Sequence, residues 1–94
     1  MEKSVHSAEY ALLRSELRAA REHAGLSQRA LASRMKVPHS WVAKVEMGER
    51  RIDLVELCWF LSSCDLDPVT FSEKLTRAIV KKLSKSNATG GRYK

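Results

Sequence analysis

Apolar residues recur three and four positions apart along most of the chain, and residues that start or stop helices interrupt them at regular intervals. Tyr10, Leu13, Leu17, Ala20 and Ala24 form one inward stripe after Ser7, a good helix cap. Gly25 follows where a helix commonly ends in a left-handed residue, and Leu26 then returns to the core. Ser27 can cap a second, short helix with Leu31, Ala32 and Met35 inward. Only Lys36 and Val37 separate it from Pro38, which can open a third helix with Val42 and Val45 inward and Gly48 at its end. Asp53 has Glu56 three residues on, a capping-box spacing, and predicts a fourth helix over 54–64 with Leu54, Leu57, Cys58, Leu61 and Cys64 towards the core. Trp59 and Phe60 cannot both follow that stripe. One of them is expected to be exposed or packed under the next helix, and an exposed aromatic would point to a partner surface. Asp67 and Pro68 start a fifth helix, whose Phe71, Leu75, Ala78, Ile79 and Leu83 form either a core lid or a dimer face. The pattern therefore predicts an all-α, compact five-helix domain over residues 7–83. The polar stretches 1–6 and 84–94 read as flexible, the second basic in composition.

The second and third of these helices carry the functional signal. Two short helices joined by so brief a connection fit a helix-turn-helix, in which one helix braces and the next is presented outward. The residues left outward on the presented helix are His39, Ser40, Ala43 and Lys44, which are small, basic or hydrogen-bonding, as a surface entering a DNA groove requires. Charge agrees in its placement more than in its total of +6. Residues 27–52 carry six basic groups against Glu46 and Glu49, the next stretch to residue 80 carries two against five acids, and the last fourteen add five positives. That distribution suggests a polyanion-facing side, against the plainer reading of a solubilising surface. Gln28 lies in the first turn of its helix, where free backbone N–H groups favour an anion, and Arg50 and Arg51 lie in the loop beside the presented helix. Gln28 is thus a candidate for a phosphate contact or a plain surface glutamine, and the two arginines for phosphate contacts or a solvated pair.

The run GLSQRALASRMKVPHSWVAKVEMGERRIDLVELCWFL resembles the Cro/C1-type (XRE, lambda-repressor-like) helix-turn-helix family, and the resemblance extends from about residue 10 to residue 83. Leu26, Ser27, Gln28, Leu31, Ala32, Val37, Val42, Glu46 and Gly48 stand in the family's order and spacing. The resemblance implies base reading by His39, Ser40 and Lys44, phosphate binding by Ser27 and Gln28 beside Arg50 and Arg51, and a structural ion pair between Arg21 and Glu46. It also implies double-stranded DNA as partner and a homodimer as the working form. The chain departs from the pattern at two places. Lys36 stands where glycine is common, so the turn must hold a non-glycine residue, with positive φ one way to do it. Trp41 is bulkier than the usual small residue.

Other classes find less support. His6, His23 and His39 have no placed carboxylate or cysteine partner, and no nucleophile motif or phosphate-cradling glycine loop is present, so an enzyme is not expected and neither is a cofactor. Cys58 and Cys64 lie roughly 120° apart around one helix, which prevents their pairing, and their spacing is not that of a zinc site. They read as buried thiols of a reducing cytoplasm. No apolar run approaches the ~18 residues of a membrane span, and no small-molecule site is evident. The expected function is a sequence-specific DNA-binding transcriptional regulator of cytoplasmic location. A protein-interaction module, such as an antitoxin-like partner, is the alternative.

Overall fold

The computed structural model describes residues 7–86, all of whose regular structure is helical. The elements are α1 (Ala8–His23), α2 (Gln28–Met35), α3 (His39–Met47), α4 (Leu54–Ser63) and α5 (Pro68–Ser86). Their starts follow from side chains that satisfy orphan N–H groups. Ser7 Oγ accepts from the Tyr10 N–H at 3.1 Å, and Ser27 Oγ from the Ala30 N–H at 3.0 Å. Asp53 and Glu56 complete a reciprocal capping box at 2.8 and 3.0 Å. The Asp67 carboxylate accepts from the Thr70 hydroxyl at 2.6 Å, which holds its pKa below the ordinary carboxylate value.

Four helices end by the same device. The residue after the left-handed position donates back five residues, as in Leu26 to Arg21 at 3.2 Å, Val37 to Ala32 at 3.0 Å, Glu49 to Lys44 at 2.8 Å and Leu66 to Leu61 at 3.0 Å. The left-handed residue is Gly25 or Gly48 in two cases, but Lys36 at φ +60° and Asp65 at φ +62° in the others. Lys36 thus takes the positive φ that a missing glycine leaves to it.

Leu17, Leu31, Val42, Val45, Phe60 and Leu61 are fully buried and form one core with Ala20, Ala32 and Cys64. Each large side chain there contributes about 1.5–3 kcal/mol relative to exposure. Helix α5 packs across α1 and α4 with Leu75 buried and Phe71 against the core, so its stripe acts as a lid over at least that part. Burial pushes the Cys64 thiol up to about 11. Two expectations for α4 change. Leu54 is 71% exposed, and Phe60 takes the core position. The buried face runs through Phe60, Leu61 and Cys64 rather than along the stripe that begins at Leu54, because α2 and α5 both press on that side. Trp59 is then the outward aromatic, at 56% exposure. Helix α5 also continues to Ser86, so the first three residues of the segment expected to be flexible over 84–94 are helical; residues 1–6 and 87–94, also expected to be flexible, lie outside the described residues.

Candidate nucleic-acid interface

The turn at Lys36 and Val37 directs the chain into Pro38, which is extended at φ −63° and ψ 149° and caps α3 without a side-chain hydrogen bond. Val42 and Val45 are driven inward by burial, so the opposite arc of α3 faces out. His39, Ser40 and Lys44 are all exposed on it, and Ala43 is half-buried at its edge. The three expected readers therefore share one surface. Gln28, in the first turn of α2, meets the same helix at Glu46, and Ser27 is the residue before it.

Glu46 is the hub of the arrangement. Its carboxylate accepts from Arg21 Nε at 2.6 Å and Nη2 at 3.0 Å, a bidentate pair in which the side chains are 9% and 4% exposed. Arg21 Nη1 donates to the Leu26 carbonyl at 2.8 Å, so one guanidinium ties α1, the loop after it and α3. The hydrogen bond to Glu46 raises the Arg21 pKa, outweighing the opposing effect of desolvation. Arg14, not singled out by sequence reasoning, lies over the end of α3. Its Nη1 reaches the Glu46 carbonyl at 3.5 Å, and a Cβ at Gly48 would meet its side chain at 3.1 Å. Gly48 is thus favoured by its φ of +81°, and a side chain there would also have to displace the end of Arg14 by a few tenths of an ångström.

The residues expected at phosphates divide. Ser27 is exposed; its oxygen accepts from Ala30, which leaves the hydroxyl proton to donate elsewhere. Gln28 donates from Nε2 to Glu46 Oε1 at 3.0 Å, a contact that residue spacing could not reveal, and keeps a second amide proton. Arg50 is paired within the protein, its side chain still 39% exposed: its two Nη atoms meet Glu56 Oε1 and Oε2 at 3.2 Å each, Nη1 donates to the Arg51 carbonyl at 2.8 Å, and its guanidinium lies 5.0 Å from the centre of the Trp41 ring. Its position therefore departs from that of a projecting phosphate ligand. Trp41 is half-buried, packed against the core on one side and stacked with that guanidinium. Arg51 lies over the Tyr10 ring at 5.2 Å, and Tyr10 Oη accepts from the Ile52 N–H at 2.8 Å. Arg34 donates to the Ser63 carbonyl at 2.8 Å and pairs with Asp65 at 3.2 Å. Two of the six basic groups in 27–52 thus meet acids of the following stretch, so the charge segregation along the chain is partly cancelled in space.

The sequence model of a family described as "Helix-turn-helix domain" matches residues 12–73. A solved structure, the XRE-family like protein from Pseudomonas syringae pv. tomato str. DC3000, is similar to the chain with 38% identity and a TM-score of 0.73, over 79% of this chain and 90% of that one. The chain belongs to the XRE family of helix-turn-helix proteins. It is, at that level, a DNA-binding regulator of a generally non-enzymatic family. No curated protein matches the chain. Among the described residues of this XRE-family protein, no helix is long and apolar enough to cross a membrane.

Proposed function

We propose that this XRE-family protein is a sequence-specific transcriptional regulator that lays α3 in the major groove of double-stranded DNA. The observation that carries the reading is the exposed arc of His39, Ser40 and Lys44 on a helix whose inner side is tied to α1 and α2 through Glu46. Such anchoring matters because base recognition needs side chains held in register with base edges. Lys44 reaches guanine O6 and N7, and Ser40 and His39 supply shorter donors nearer the start of the helix. Phosphate positioning falls to Ser27, the second amide proton of Gln28, the first N–H groups of α2, and Arg51. Arg50 serves the interface by shaping its loop and steadying Trp41. One helix of nine residues reads few base pairs, so the working form is a homodimer on two half-sites about 34 Å apart, with α5 the first candidate for the contact. Selection from random duplexes, followed by titration at several salt concentrations, tests the reading. A preferred sequence with inverted repeats is expected, with log K falling by about 0.9 per neutralised phosphate against log salt. A salt-independent isotherm without sequence preference would defeat it.

A second reading rests on Val55 and Trp59, both exposed and four residues apart on α4. Trp59 borders a groove of about 460 Å³ with Arg34, Met35, Lys36 and Val37. That surface favours the alternative of a protein-interaction module such as an antitoxin-like partner. Substitution of Trp59 with glutamate would then abolish partner binding and leave DNA affinity unchanged.

A further inference from the structure

Met47 is the last residue of α3 and is 59% exposed, although it is a large apolar side chain on a helix whose other outward groups are small or polar. At 100° per residue, positions 40, 44 and 47 fall within roughly 60° of arc, so Met47 shares the face of Ser40 and Lys44. Helical side chains lean towards the N-terminus, which carries the thioether back over the turn that holds Ala43 and Lys44. The chain turns away at once after it: Glu49 and Arg50 both donate to the Lys44 carbonyl, at 2.8 and 3.2 Å, and Gly48 is buried beneath Arg14. Nothing in the loop therefore covers Met47. The other large apolar group of α3 near the surface, Trp41, is stacked with Arg50 and packed on the core.

An exposed apolar group within a reading face has one apolar counterpart among the base edges of the major groove, the C5-methyl group of thymine. We propose that Met47 is a specificity-determining residue that packs on a thymine methyl at the edge of each half-site. The inference rests on groove reading by α3 as proposed above. The thioether is suited to the task, being unbranched and polarizable enough to follow the methyl group without a fixed rotamer.

The test uses the full chain and the duplex it selects from random sequence, with each thymine of a half-site replaced in turn by uracil, which removes the methyl and preserves pairing. At one position the wild-type protein should lose roughly four-fold in affinity, the factor for about 0.8 kcal/mol from one buried carbon group. In Met47→Gln, similar in length but polar, the same replacement should cost less than about 1.5-fold, while Met47→Leu should keep most of the effect. An equal uracil penalty in wild type and Met47→Gln, no penalty at any thymine, or a selected half-site without thymine overturns the assignment while leaving groove reading intact. If selection yields no preferred duplex, groove reading fails and the inference with it.

Discussion

Replacing Glu46 with alanine is the most direct perturbation of the link between fold and interface. The side chains of Arg21 and Glu46 are 9% and 4% exposed, so their pair belongs with buried ion pairs, where loss of one partner costs about 3–5 kcal/mol. Two features place the cost towards the lower part of that range. Glu22, half-exposed, lies 4.0 Å from Arg21, and the Leu26 carbonyl still accepts from the guanidinium at 2.8 Å. Gln28 adds to the loss, since its amide gives up the acceptor it meets at 3.0 Å. A value of about 3–4 kcal/mol is expected, against a total of roughly 4–12 kcal/mol for a domain of this size. Urea unfolding followed by far-ultraviolet circular dichroism measures it, and an unchanged m-value confirms that stability, not the denatured state, has moved. The thermal midpoint should fall by roughly 12–30 °C. A double-mutant cycle with Arg21→Ala should give a coupling of about 2–3 kcal/mol, and Arg21→Met with Glu46→Leu should recover much of the loss because neither charge then remains buried. A Glu46→Ala cost under about 1 kcal/mol, or strict additivity in the cycle, would refute the reasoning.

Lys44→Ala should cost about 1–3 kcal/mol on the selected duplex and relax preference at one base pair; an equal loss on random DNA would identify Lys44 as a phosphate contact instead. Arg50→Ala should lower stability by about 1–2 kcal/mol through its bonds to Glu56 and the Arg51 carbonyl, and leave the salt dependence of DNA binding unchanged, because its guanidinium is already paired; a slope reduced by about one would return it to the phosphates. Lys36→Gly should stabilise the fold by up to about 1 kcal/mol by relieving a non-glycine residue at φ +60°, as read by denaturant midpoint. Asp67 has a pKa below its unfolded value, so its support of α5 is complete above the ordinary carboxylate range and is lost as pH falls through the lowered value. Protection of the Thr70 amide against exchange, taken relative to the intrinsic rate at each pH, should fall over that acidic window, and Asp67→Ala should remove that change in protection.

Much of the fold could be read along the chain because its determinants are local. Ser7, Ser27 and the pair of Asp53 with Glu56 act on N–H groups within three residues, and Gly25 and Gly48 end their helices through their own backbone freedom. The inward faces of α1 and α3 followed for the same reason, each stripe having one consistent apolar side. The outward arc of His39, Ser40 and Lys44 was legible as the complement of Val42 and Val45.

What tertiary structure decided was the choice between locally equivalent options. Helix α4 is apolar on several sides, so its sequence admits more than one buried face; α2 and α5 select Phe60 and leave Leu54 and Trp59 in solvent. Periodicity could not say that Gln28 turns to Glu46, eighteen residues away, or that Arg50 meets Glu56 and Trp41 instead of projecting, because long polar side chains take whichever partner the packed backbone brings within about 3 Å. Asp65 likewise adopts the left-handed conformation although its sequence offers no glycine, since Leu66 enters the core and the α4 carbonyls must still be satisfied. Residue type and spacing determine which helices form and which faces turn inward; the assembled core determines which charges are consumed within the fold and which remain for DNA.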